Sequence, residues 1–113
     1  MRHLLLAALV LQPEVASAHA ILMQSQPAAH SSVAPGPTAI VLRYNSRIDQ
    51  ARSRLMLRGS NAEMTLSLQE GSPPDTLAAR AELTPGEYTV HWQVLAVDGH
   101  MTRGDVRFTV QPR

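Results

Sequence analysis

The chain has 113 residues, 44% of them hydrophobic and 17% charged, which suits one globular domain with a modest core and excludes a disordered chain. Its ten basic residues are all arginine, scattered among nine acids for a net charge of +1, so no basic stripe marks it as a nucleic-acid binder. It has no cysteine, which rules out disulfides and thiolate-held metals.

The first twenty residues, MRHLLLAALVLQPEVASAHA, carry the three parts of an export leader. Arg2 is the basic start, residues 4–11 are the apolar centre, and Ala16-Ser17-Ala18 is an A-x-A cleavage signal. The apolar run is too short to anchor the chain in a bilayer. The expected cut falls after Ala18. It separates a signal peptide, 1–18, from a mature domain, 19–113, whose first residue is His19.

Residues 20–24 read as a first strand. Residues 25–37 hold three prolines and a glycine and read as loop, with His30 a solvated histidine rather than a ligand. Residues 38–44 alternate, placing Ile40, Leu42 and Tyr44 on one face and Val41 and Arg43 on the other. Residues 45–53 read as a polar turn or short helical piece in which Asp49 pairs with a nearby arginine. Residues 54–58 form a third strand around Leu55 and Leu57, with Met56 out of phase. After a turn at Gly59-Ser60-Asn61, residues 62–69 read as a fourth strand with Met64, Leu66 and Leu68 in phase, so Met64 is expected to fill the core. Residues 70–75 are loop, and Thr76–Leu83 is a fifth strand patterned through Leu77, Ala79, Ala81 and Leu83.

Residues 83–110 carry the strongest pattern. Thr84-Pro85-Gly86 is a turn. Tyr88, Val90, Trp92, Val94 and Ala96 then share one strand face, while Thr89, His91 and Gln93 share the other, leaving His91 on the surface. A second strand alternates through Val106, Phe108 and Val110. The only Trp and the only Phe lie here, so this pair is expected to centre the core. Between the strands stands Asp98-Gly99-His100. If the backbone stays near extended there, the carboxylate and the imidazole project to one side. About seven short strands with turn signals, and no long helical stretch after residue 18, point to an all-β sandwich or barrel of immunoglobulin-like type. Such a fold allows the first strand to lie beside the last hairpin and bring His19 to Asp98 and His100.

A first-residue histidine has a free α-amine and a ring Nδ1 that chelate one metal together. An α-amine titrates at about 7.7 to 8.0 in model compounds, so a metal displaces its proton near neutrality. His100 adds a nitrogen and Asp98 an oxygen. Three nitrogens and one oxygen make the tetragonal, nitrogen-rich set that Cu(II) favours.

The sequence resembles the CopC-type periplasmic copper-binding proteins. The likeness rests on HAILMQSQPAAHSSV at residues 19–33 and on the strand Pro-Gly-x-Tyr-x-Val-x-Trp. Asp98-Gly99-His100 follows it, with Gly104 four residues beyond the histidine. It implies a small Greek-key β-sandwich or barrel that binds one Cu(II) through the amine and ring of His19, Asp98 and His100. It also implies a periplasmic role in copper sequestration or delivery, in copper resistance or homeostasis, beside a CopD-type inner-membrane protein. The chain is expected to be a monomer. Two features depart from the family. Ser46 stands in Tyr44-Asn45-Ser46 where many members have an acid. Met23, Met56, Met64 and Met101 are scattered rather than gathered in a Cu(I) loop. The same residues allow two other readings. One is a histidine-brace copper monooxygenase, opposed by Asp98 in the place oxygen needs and by aromatics whose phases point inward. The other is a metal-free immunoglobulin-like interaction domain. The expected function is binding, not catalysis.

Overall fold

The computed structural model describes residues 19–113; the expected leader and the expected cut after Ala18 lie outside the described residues. Eight strands follow in chain order: β1 (Leu22–Gln26), β2 (Ser32–Val33), β3 (Gly36–Tyr44), β4 (Ile48–Arg58), β5 (Glu63–Thr65), β6 (Thr76–Leu83), β7 (Gly86–Ala96) and β8 (Met101–Val110). They form a three-stranded sheet, β1-β3-β6, and a five-stranded sheet, β2-β8-β7-β4-β5. All neighbours are antiparallel except β2, which runs parallel to β8 through Ser32 and Val33 opposite Thr109 and Val110. The fold is the all-β sandwich expected from the sequence.

The period-2 patterns become the two inner faces. Ile40, Leu42 and Tyr44 of β3, Leu77, Ala79 and Leu83 of β6, and Leu55 and Leu57 of β4 are buried together. Val90, Trp92, Val94, Val106, Phe108 and Val110 complete the core. Burying a side chain of leucine or valine size contributes about 1.5–3 kcal/mol, so these inner faces supply most of the driving force. Tyr44 and Trp92 meet edge to face across the sheets, with ring centroids 5.3 Å apart. Burial pushes the Tyr44 phenol well above its ordinary range, so it stays neutral. Thr84 and Pro85 carry the chain from one sheet to the other, and the Tyr88 hydroxyl donates back to the Thr84 carbonyl at 3.0 Å.

Five local expectations need correction. Only residues 45–47 form the expected turn; residues 48–53 are neither turn nor helical piece, since the buried Ile48 starts β4. What breaks the pattern is a wide bulge. Asp49 faces Leu95 and Arg54 faces Gln93, so β4 passes four residues where β7 passes only Val94. The Ser53 hydroxyl fills the gap in the ladder: it donates to the Asp49 carbonyl (2.6 Å) and accepts from the Leu95 N–H (3.0 Å). The predicted loop 25–37 holds the short β2 and the start of β3. The fourth strand stops at Thr65 instead of Gln69. Leu66 still donates to the Leu55 carbonyl, but the Gln69 N–H bonds to Ala78 of β6, so the chain crosses from one sheet to the other. Met64, expected in the core, is 55% exposed. It lies opposite Leu57 on an edge strand, at the mouth of a gap of about 350 Å³ that Ala81, Leu83 and Tyr88 also line. The last correction is to the first strand, which starts at Leu22 rather than Ala20.

Trp92 lies directly opposite Gly104 in the β7–β8 ladder. A Cβ at Gly104 would fall 2.4 Å from Trp92 Cζ2, so the indole occupies the space a side chain would need. Gly104→Ala is expected to destabilise the domain by about 1–3 kcal/mol through overpacking. Combined with Trp92→Leu, the cost should fall short of the sum of the two single changes. Urea denaturation of the four proteins checks this; simple additivity would mean that the two residues do not compete for one space.

Candidate metal centre

The β7–β8 hairpin turns at one end of the sandwich. The Ala96 carbonyl accepts from the Gly99 N–H (2.9 Å), and the Ala96 N–H donates to the His100 carbonyl (2.8 Å). Gly99 has φ +88°, a left-handed conformation that glycine adopts without penalty at the end of a three-residue hairpin loop. The backbone is therefore sharply turned, not near extended as assumed from the sequence. Asp98 and His100 meet because the turn folds one onto the other. Asp98 Oδ1 accepts from the His100 backbone N–H at 3.0 Å, and Oδ2 lies 3.0 Å from His100 Nδ1.

His19 reaches this turn by a different route. Residues 19–21 leave the three-stranded sheet before β1 begins. Asn45 holds Ile21 at both ends, its side-chain oxygen accepting from the Ile21 N–H (2.8 Å) and its own N–H donating to the Ile21 carbonyl (3.0 Å). Ala20 is buried, and its carbonyl accepts from the Thr102 hydroxyl of β8 at 3.2 Å. These ties set His19 beside the hairpin. His19 Nε2 is 4.0 Å from Asp98 Oδ2, and the His19 and His100 rings meet edge to face with centroids 4.5 Å apart.

The three sequence-predicted donors thus converge, and their ligand atoms all lie within 4.8 Å of one another. Metal–nitrogen and metal–oxygen bonds of about 2 Å put donors on one ion no more than about 4 Å apart, so the side chains would have to draw closer to hold one, and His19, which faces Asp98 with Nε2, would have to turn its ring to ligate through Nδ1. The centre is open: the side chains of His19, Asp98 and His100 are 47%, 26% and 65% exposed. The Asp98 carboxyl is held below the usual carboxylate range. The His100 backbone N–H is the main cause, aided by the His100 side chain and the two imidazoles; partial desolvation works against them.

Other candidates lie elsewhere. His30 has φ +62° and donates its N–H to the Arg107 carbonyl, away from the cluster. Asp49 pairs with Arg52 at 3.2 Å. The Ser46 hydroxyl is buried with no hydrogen-bond partner among the described residues, and Ser46 brings no carboxylate. His91 lies on the outer face as expected, but its bond to Asp105 (Nδ1···Oδ1 2.6 Å) was missed. Cross-strand register was the missing signal, since His91 and Asp105 are directly opposed.

The family model described as CopC domain matches residues 22–111. The chain is 34% identical over 99 residues to Protein YobA of Escherichia coli (strain K12), covering 83% of this chain and 80% of that one. The solved structure of CopC from Methylosinus trichosporium OB3b is 31% identical with a TM-score of 0.72, over 84% of this chain and 96% of that one. PcoC, a methionine-rich copper resistance protein from Escherichia coli, is 30% identical with a TM-score of 0.66, over 82% and 99%.

Because the folded state depresses the Asp98 carboxyl, its stabilising contribution is complete above the unfolded value of about 3.9 and is lost as pH falls through the folded one. Asp98→Asn should therefore flatten the acid limb of the metal-free protein, with less stability lost between about pH 5 and pH 2. Urea midpoints against pH measure it. Acid limbs of equal slope would show that the carboxylate gains nothing from its neighbours.

Proposed function

The chain belongs to the CopC family, and we propose that it binds one Cu(II) per chain in the periplasm, for sequestration or delivery, through His19, Asp98 and His100. The observation that carries this reading is the convergence of those three side chains, drawn from two ends of the chain, on one open point. The donor chemistry supports copper. Cleavage after Ala18 would add the α-amine of His19 to its ring nitrogen. With His100 and Asp98 this makes three nitrogens and one oxygen, which suits tetragonal Cu(II) and poorly suits Cu(I). Reduction then becomes a release step. Met23, Met56, Met64 and Met101 stand on four different strands, β1, β4, β5 and β8, which supports a single Cu(II) site with no separate Cu(I) loop.

In this reading the protein is not an enzyme. Asp98, as a ligand, would occupy a place that an oxygen-activating copper must keep open, and Trp92, Phe108 and Tyr44 are committed to the core. The chain acts as a monomer, and a CopD-type inner-membrane protein is the partner its family membership favours.

Electron paramagnetic resonance of the processed protein should give a tetragonal, nitrogen-rich Cu(II) signal at one equivalent. One extra residue before His19 turns the amine into an amide. That extension, or His100→Ala, should weaken binding by more than about a hundredfold, since losing even an outer-shell partner of a ligand costs 10–100-fold. His30→Ala and His91→Ala should bind as the parent does. An unchanged signal in the extended protein would sink the assignment of His19.

Competition titrations should show affinity falling steadily from about pH 7.5 to about pH 5.5, because the amine and both imidazoles must shed protons to ligate. Constant affinity over that range would exclude the nitrogen set.

A further inference from the structure

Among the described residues no layer packs on the outer face of the five-stranded sheet, and its register gathers charges that are dispersed in the sequence. On β4, Arg54 and Arg58 point outward; on β8, Arg103 and Arg107 do so. Between them runs β7 with Thr89, His91 and Gln93. The rows are Arg54–Gln93–Arg103 at one end and Arg58–Thr89–Arg107 at the other. Four residues of strand span about 13 Å, and β4 and β8 stand about 10 Å apart across β7. Four guanidinium groups therefore mark the corners of a shallow trough whose middle row is Met56, His91 and Asp105.

The acids on this face are mostly engaged already. Asp105 is bonded to His91 at 2.6 Å, and Glu63 takes up Arg58 at 2.7 Å. Glu87 remains at the far end. Among the described residues no side chain pairs with the guanidinium groups of Arg54, Arg103 or Arg107. Beyond Thr89 the trough deepens into a cavity of about 460 Å³ lined by His30, Arg58, Glu87, Tyr88 and Arg107.

We infer that this face docks an acidic segment of a partner protein, laid along β7 with carboxylates reaching Arg54, Arg103 and Arg107, while Arg58 stays with Glu63. Arginine's planar fork pairs bidentately with carboxylates, and its charge does not titrate away. An extended segment with acids four residues apart matches the spacing along the strands. The cavity between Arg58 and Arg107 gives one side chain of the segment a place to enter, which a mere field of surface charge would lack. The surface is independent of the metal centre and needs no ion bound there.

The test uses the metal-free processed protein, isotopically labelled, titrated with an octaglutamate peptide and followed by amide chemical shifts. The largest shifts are expected at Thr89, His91 and Gln93 and their neighbours on β4 and β8. Arg103→Glu with Arg107→Glu should weaken binding at least tenfold. Arg43→Glu with Arg80→Glu, the same charge change on the outer face of the other sheet, should leave it within about twofold. If the glutamate pair fails to fold, Arg103→Gln with Arg107→Gln should still lose binding in proportion to the charge removed. Equal losses in both double variants, or shifts spread over the whole surface, would overturn the proposal, because they describe attraction to net charge alone. Binding to phosphatidylglycerol vesicles through Arg103 and Arg107 without binding to the peptide would also overturn it, making the face a lipid surface.

Discussion

The indole of Trp92 pressed against the backbone of β8 at Gly104 is the contact on which the sandwich is organised. It excludes any side chain at Gly104, meets Tyr44 of the opposite sheet edge to face, and centres the long β7–β8 ladder. That ladder runs in unbroken register from Gly86–Val110 to Leu95–Met101. Whatever stands on its turn is therefore carried on a stiff support. Asp98 and His100 stand there, and the left-handed Gly99 between them closes the turn. Core packing and the geometry of the candidate centre are linked through one hairpin.

The third donor depends on a different kind of contact. Nothing in the β1 ladder itself directs His19 anywhere, since pairing with β3 begins only at Leu22. Two polar ties settle its position: Asn45 on Ile21, and Thr102 on the carbonyl of the buried Ala20. Asn45 thus has a structural task, next to the buried hydroxyl of Ser46. The resulting centre is exposed, which suits the proposed exchange of a metal with a partner better than permanent retention.

The outer face of the larger sheet shows how a period of two sorts charge. Arg54 and Arg58, like Arg103 and Arg107, are four apart, so each pair shares a side of its strand. Read along the chain they are interleaved with acids and look like ordinary solvated charge. Only the antiparallel pairing of β4 and β8 with β7 puts both pairs on one surface.

From the sequence alone came the all-β class, the inward phases of β3, β6, β7 and β8, the surface position of His91 and the three candidate donors. These were legible because alternation, turn residues and donor chemistry are local properties. Tertiary structure decided the rest. The bulge in β4 hid a strand within a polar stretch, because Ser53 supplies with its side chain what the backbone ladder lacks. Met64 was in phase with Leu66 and Leu68, yet phase states which side a residue takes and not whether another strand covers it. Likewise the meeting of His19 with Asp98 and His100 and the gathering of arginines on one face depend on which strands become neighbours. That is set by the packing of the whole core, and no short window of the chain contains it.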